Sequence, residues 1–353
     1  MSFLSVSLLA TLTSIALALT GCATPLLAYD ASEMPPLQLA VVGQPSVQDG
    51  RARFREIFCG LAAREGQLDV DCEKVLVRLA AEPTSKAPAP LPSHDPRLRI
   101  LLVPGGFAEC FKDAPLFPEG QPRLKAAGYS VSTIPVSGRS SSAYNAWRIA
   151  AAVARTTLPP DGRLVLLGYS KGVSDILEFL VQYPSLATRV HAVISIAGSV
   201  NGSPIANRFT SLYEAADDWV LRNCPPGDKS VAADLQRELR LNWLAKHRLP
   251  SHIRYFSVGT IAPEEEVARA MMLTDGSLRH VDPLTDGQLL FYDQLLPGSE
   301  LLAYVRADHW AVALPLQEYW HVLATNPAGA HFPRGLLLEA ILLHMSEALR
   351  TEG

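Results

Sequence analysis

The chain has 353 residues, 48% hydrophobic and 19% charged, with 27 prolines and 23 glycines. That is the composition of an ordinary folded protein, long enough for one large domain or two small ones, and it excludes a fibrous or low-complexity chain. A formal net charge of −4 with no long run of like charge offers no basic face for nucleic acid, and neither a repeat period nor a metal-finger cysteine spacing is present.

The first twenty-one residues, "MSFLSVSLLATLTSIALALTG", carry no charged side chain. Their apolar run from Phe3 to Leu19 is short for a spanning helix and suits the core of a signal peptide over 1–21. The run ends in Leu19-Thr20-Gly21-Cys22, which resembles the lipobox of bacterial lipoproteins. That resemblance implies cleavage before Cys22, a lipid on its sulfur and, with Ala23 next, export to the outer membrane. No Lys or Arg precedes the apolar core, a departure from the usual pattern, and an uncleaved N-terminal anchor is the alternative. Either way the remaining chain is expected in the bacterial envelope, outer-membrane or periplasm-facing, with the membrane as a partner through its N-terminal anchor.

Export changes the meaning of the cysteines. Setting Cys22 aside leaves Cys59, Cys72, Cys110 and Cys224, an even number in an oxidising compartment. Cys59 with Cys72 is favoured because the two are near in sequence, which leaves Cys110 with Cys224; free buried thiols are the alternative.

Residues 22–47, rich in proline and small side chains, read as a tether. Asp49 is placed to cap a helix carrying Phe54, Ile57, Phe58 and Leu61 at helical spacing. Asp71 would cap a second, with Cys72, Val75, Leu76 and Leu79 on one face. "PTSKAPAPLPSHDP" (83–96) is a linker by composition, so 48–95 is expected as a helical segment and a Pro-rich linker.

Residues 96–353 have a different texture. Strands are expected at 99–103, 129–136, 163–169, 191–198, 253–260 and 301–305. Helices are expected at 142–157, after Gly172 up to Pro184, and over "PRGLLLEAILLHMSEALR" (333–350). A more polar helical section runs from about 207 to 250. With Phe209, Leu212, Trp219 and Trp243 it reads either as a cap shaping an apolar pocket or as a helical insertion packed on the core. The alternation predicts an α/β class fold, a mainly parallel sheet with helices on both faces.

Within this domain "RLVLLGYSKGVSD" (163–175) sets a serine between a buried strand and a helix. G-x-S-x-G alone is weak, but this context is that of a nucleophile elbow, where glycines relieve crowding as the chain turns and exposes Ser170 Oγ. The Lys171 N–H, in the first turn of the helix, would face a developing oxyanion. A second N–H is expected from Gly106 or Phe107 in "LLVPGGFAEC", where the chain turns away from an earlier strand. Of nine histidines, His309 is the one placed late in the chain just past a strand; His321 and His344 fall in helical stretches. The acid should lie between serine and histidine in chain order. Asp286 in "VDPLTDGQLLFYDQ" is best placed, then Asp282, then Glu264 to Glu266. Asp308 adjoins His309 and reads as structural.

The order G-Y-S-K-G, D-G (286–287) and D-H (308–309) resembles the α/β-hydrolase superfamily, particularly its bacterial lipases and esterases. "SIAGSVNGSPIAN" (195–207) resembles the strand and loop after their nucleophile helix. The likeness runs from about 99 to 349 without a detailed match over 207–249. It implies Ser170 as nucleophile, Asp286 as acid and His309 as base, acting on an ester or lipid without metal or cofactor. Two residues depart from the pattern: Pro104 stands where many lipases have His, and Lys171 is unusual directly after a nucleophile. Its charge would either favour anionic substrates or pair with a nearby acid. The expectation is a lipid-anchored ester hydrolase, with an envelope acyltransferase or a non-catalytic lipoprotein scaffold as alternatives. The scaffold would show the imidazole more than about 5 Å from Ser170 Oγ.

Overall fold

Each long strand of this chain is apolar on both sides. Leu98, Ile100 and Leu102 belong to one buried cluster, while Leu101 and Val103 belong to another. Since successive side chains of a strand point to opposite faces, such a strand must be covered twice. A computed structural model of the chain describes residues 43–64, 70–80, 82, 89–110, 114–207, 224–315 and 332–350. The expected signal peptide, Cys22 and most of the tether lie outside them.

The elements in order are β1 (Gln48–Asp49), α1 (Arg51–Arg64), α2 (Cys72–Val75), β2 (Leu76–Val77) and β3 (Leu98–Val103). They continue with α3 (Gly120–Ala126), β4 (Ser130–Thr133), α4 (Ser142–Arg155), β5 (Arg163–Tyr169), α5 (Lys171–Gln182), α6 (Pro184–Ala187) and β6 (Val190–Ile196). The remainder are α7 (Val231–Asp234), α8 (Arg237–Lys246), β7 (Arg254–Ile261), α9 (Met272–Arg279), β8 (Glu300–Arg306) and α10 (Arg334–Arg350). The sheet runs β1-β8-β7-β6-β5-β3-β4, with β2 also on β8. Its pairs are parallel except β2 with β8, as expected for the α/β class. On one face, Phe54, Ile57, Phe58 and Leu61 of α1, Leu124 of α3 and the leucine-rich α10 cover the strands. On the other lie α4, α5 and α8.

The N-terminal segment closes an edge. β1 pairs with Glu300 and Leu301, and β2 with Val305 and Tyr304, so both ends of the outer side of β8 are occupied and its free N–H and C=O groups are fewer. Asp71 does cap a helix, accepting from the Glu73 N–H at 3.1 Å, but this helix ends at Val75. The expected helical face through Leu79 is therefore corrected. Leu76 and Leu79 are buried because the chain extends along β8, and pairing that strand edge outweighs one more helical turn. Cys59 and Cys72 are bridged, joining α1 to α2, and Cys110 is bridged to Cys224, as expected from their order.

Candidate active site

Ser170 sits between β5 and α5 at φ 54°, ψ −127°, a conformation costly for a residue with a Cβ. Its two glycine neighbours make this turn possible. A Cβ at Gly168 would lie 2.8 Å from the Val173 nitrogen, and one at Gly172 would overlap the Val103 carbonyl and stand 2.5 Å from that of Pro104. The turn is held by the Ser170 N–H donating to Ile196 O at 3.1 Å, and by the Ser199 N–H donating to Ser170 O at 3.2 Å.

Two loops at the same end of the sheet complete the arrangement. After β8 the chain turns at Asp308-His309, and His309 Nε2 stands 2.8 Å from Ser170 Oγ. The other ring nitrogen, Nδ1, is 2.8 Å from Asp286 Oδ2. The Asp286 carboxylate is fully buried. Its Oδ1 accepts from the N–H groups of Gln288 (2.9 Å) and Leu289 (2.7 Å), which folds the D-G turn around it. Its Oδ2 also accepts from Thr260 Oγ1 at 2.6 Å, and Gln294 Nε2 approaches to 3.4 Å. The structure thus brings Ser170, Asp286 and His309 into one chain of hydrogen bonds. The runner-up Asp282 instead accepts from the Leu284 N–H at 2.8 Å within its own turn, and Glu266 pairs with Arg306.

Asp308 plays the part expected of it. Its carboxylate accepts from the N–H groups of Trp310 (3.0 Å), Ala311 (2.7 Å) and Ala268 (2.9 Å), so it shapes the turn carrying His309. Burial pushes its pKa up to about 6, against the lowering by these N–H donors.

The oxyanion loop requires a correction. The Phe107 N–H donates to Gly138 O at 3.0 Å, with Phe107 in the left-handed region at φ 62°, so that donor is already used. Gly106 is the remaining donor expected in this loop, beside the first-turn N–H of Lys171, which no residue i−4 can satisfy. The loop presses on Ser170: a Cβ at Gly105 would come within 2.8 Å of Ser170 Cβ.

Lys171 is not offered to a substrate. Its side chain is 1% exposed, and Nζ lies 2.5 Å from Oδ1 of Asp175, one helical turn on. Of the two expectations for its charge, pairing with an acid is the one the structure supports.

The segment expected as a cap is partly outside the described residues, including Phe209, Leu212 and Trp219. In the described part α8 packs on the sheet layer through Leu244 and Trp243, so Trp243 serves the core. Nearer the site are Cys224, bridged to Cys110, and Val231, whose Cγ2 would lie 3.5 Å from a Cβ on Gly106.

Sequence reasoning missed three supporting residues. Tyr169, beside Ser170, donates its hydroxyl to the His309 carbonyl at 2.6 Å, its ring 5.4 Å from the imidazole. Thr260 and Gln294 hold each other and Asp286, through Thr260 N–H to Gln294 Oε1 at 2.7 Å and Gln294 Nε2 to Thr260 O at 3.0 Å. Only Tyr169 carried a sequence signal, its place within the elbow motif.

No family model matches the sequence, and no curated protein matches it either. Solved structures do. The metagenomic carboxyl esterase MGS0156 is 37% identical, with a TM-score of 0.78 over 89% of this chain and 97% of that one. The lipase of Staphylococcus hyicus, at 13% identity and a TM-score of 0.51 over 73% of this chain and 98% of its own, shares the fold. So does the mature form of the Bacillus licheniformis lipase BlEst2, at 19% identity and a TM-score of 0.50 over 63% and 89%.

Proposed function

We propose a function from one premise: the chain belongs to the α/β-hydrolase superfamily, among its carboxyl esterases. It is a serine hydrolase of carboxylic esters. The observation that carries this reading is the pair of 2.8 Å separations linking Ser170 Oγ to His309 Nε2 and His309 Nδ1 to Asp286 Oδ2. They lie well inside the distance expected of a non-catalytic scaffold.

The chemistry follows from the atoms. With Nδ1–H donated to the buried carboxylate, Nε2 presents its lone pair to the Ser170 hydroxyl. Ser170 Oγ attacks the ester carbon while His309 takes the proton, and Asp286 stabilises the imidazolium that forms. The carbonyl oxygen gains negative charge beside the N–H groups of Gly106 and Lys171, at the positive end of α5. His309 then returns its proton to the leaving alcohol, and the acyl group remains on Ser170. Water, activated by the same imidazole, releases the acid.

The protein works as a lipid-anchored enzyme of the bacterial envelope. The Leu19-Thr20-Gly21-Cys22 stretch supports the anchor, and the two disulfides support an oxidising compartment.

A fluorophosphonate probe tests the catalytic reading. Labelling at Ser170, lost in Ser170→Ala together with p-nitrophenyl ester turnover, is the expected result. An intact protein that neither labels nor turns over esters overturns it. For the anchor, Cys22→Ala should move the protein from the membrane fraction to the soluble one, and unchanged fractionation counts against lipidation.

A further inference from the structure

The Lys171–Asp175 pair lies at one end of a continuous polar chain that reaches the oxyanion loop. Lys171 Nζ holds Asp175 Oδ1 at 2.5 Å, and Asn145 Nδ2 donates to Asp175 Oδ2 at 2.8 Å. The Asn145 amide then clamps Ser137 from both sides: Nδ2 donates to Ser137 O at 2.8 Å, and Oδ1 accepts from the Ser137 N–H at 2.9 Å. Ser137 fixes Gly138, whose N–H donates to Glu109 Oε2 at 2.6 Å and whose carbonyl takes the Phe107 N–H at 3.0 Å. Glu109 Oε1 also accepts from Ser137 Oγ at 3.3 Å. Phe107 and Glu109 flank the stretch that follows Gly106.

Every central member is buried: Lys171 and Asp175 are each 1% exposed and Asn145 is fully enclosed. Two ions withdrawn this far from water are costly to keep, and an apolar pair of similar volume would commonly pack as well or better. Stability alone therefore accounts poorly for a lysine directly after the nucleophile. Geometry supplies a better reason. One end of the chain is bonded to the residue that follows Ser170, and the other holds the loop that brings Gly105 against Ser170 Cβ.

We propose that Lys171, Asp175, Asn145 and Glu109 are positioning residues that set the Gly106 N–H in register with the Lys171 N–H. Their side chains touch neither substrate nor reacting atoms; Lys171 meets the oxyanion only through its backbone N–H. Their charge and amide geometry fix the distance between the two donors of the oxyanion hole. The proposal rests on the reading of Ser170 as nucleophile. It predicts a signature that packing alone lacks, because a displaced donor weakens binding of the transition state more than that of the ester.

The test compares Asn145→Ala, Glu109→Gln, Lys171→Met and the double variant Lys171→Met with Asp175→Asn in the full-length protein. Measurements are made where circular dichroism shows each folded. Asn145→Ala should lower kcat tenfold to a hundredfold with KM within about twofold, and should weaken inhibition by an alkyl boronic acid in proportion to kcat. Glu109→Gln, which keeps an acceptor for the Gly138 N–H, should lose less than tenfold. Lys171→Met leaves the Asp175 charge unpartnered. The double variant keeps an oxygen for Asn145 and should recover most of the kcat that Lys171→Met loses. If Lys171→Met does not fold, Asn145→Ala still decides the matter. Unchanged kcat in Asn145→Ala, or KM and kcat losses that track thermal stability with boronate affinity intact, overturns the positioning role. Failure of the wild-type protein to label with fluorophosphonate would instead overturn the nucleophile reading.

Discussion

His309 and Asp286 are joined twice. The side chains meet at 2.8 Å between Nδ1 and Oδ2, and the His309 backbone N–H donates to the Asp286 carbonyl, also at 2.8 Å. The loop after β8 and the D-G turn are thereby locked together, so the imidazole is fixed from its main chain as well as from its ring. Asp286→Asn should isolate the electronic part of this arrangement. The amide can still accept from Gln288 and Leu289, so the turn survives. Toward His309 it presents an N–H donor, which favours the tautomer with the proton on Nε2, where Ser170 needs a base. We expect kcat for p-nitrophenyl esters to fall by about 10³–10⁴ with little change in melting temperature. A loss under tenfold would remove Asp286 from the proposed triad.

Tyr169 should contribute through the backbone of the base. Its phenol is fully buried, and burial pushes its pKa well above the ordinary tyrosine range, so it stays a donor at any working pH. Tyr169→Phe keeps the ring against the imidazole but leaves the buried His309 carbonyl without its 2.6 Å hydrogen bond. The expected cost is about 1–3 kcal/mol of stability, read by urea denaturation, with a several-fold drop in kcat as the His309 loop loosens. A fully stable, fully active Tyr169→Phe protein would show this bond to be dispensable.

These residues also show what sequence reading can reach. Ser170, Asp286 and His309 were legible because each carries a local signature: strand-turn-helix with glycines that no larger residue could replace, a D-G turn, and a D-H pair past a strand. The sheet was legible because β3, β5 and β6 are dominated by apolar residues that are buried on both faces, as in Ile100–Val103 and Leu164–Leu167. By contrast, β2 is two residues long and exists only because β8 offers an edge, so helical spacing over 72–79 outweighed it. Thr260 and Gln294 carry no local pattern and reach Asp286 from 26 and 8 residues away. The spent donor at Phe107 depends on Gly138, in a different loop, and Lys171 finds its partner only once a helix sets residues 171 and 175 on one face. Tertiary pairing is a property of the assembled chain, and local periodicity does not encode it.

Asp308 predicts a pH dependence with a definite sign. Its folded pKa is raised to about 6 by burial, above the ordinary aspartate value near 3.8. A raised carboxyl pKa means the folded state holds the proton more tightly than the unfolded state. Its contribution is therefore fully present below about pH 4 and is lost as pH climbs through 6. Asp293, pushed up to about 7 by burial despite its 2.6 Å contact with Arg237, acts in the same direction and extends the decline. For Asp308 alone a shift of this size corresponds to about 3 kcal/mol. Comparing Asp308→Asn with wild type cancels the titrations of groups that do not interact with Asp308. The difference in unfolding free energy should move in the variant's favour between pH 4 and 7, by up to that amount. A difference that stays flat across this range would show that the three N–H donors outweigh burial and keep the carboxylate charged.

The two disulfides should separate stability from activity. Cys59–Cys72 closes a short loop between α1 and α2, the first of which packs against β8 and α10. Cys110–Cys224 spans 114 residues and fastens the turn directly after the oxyanion loop to the segment leading to α7. Chain entropy assigns about 3 kcal/mol to a loop of the first length and about 5 to one of the second. Replacing Cys59 and Cys72 together by serine should therefore lower the melting temperature while leaving kcat within about twofold of wild type. Replacing Cys110 and Cys224 together should lower both. The loop carrying Gly106 would then keep its hydrogen bonds to Gly138 but lose its covalent hold, and donors must lie within a few tenths of an ångström to stabilise an oxyanion. Equal kcat in the two double variants, each measured well below its melting temperature, would show that the hydrogen bonds alone position this loop.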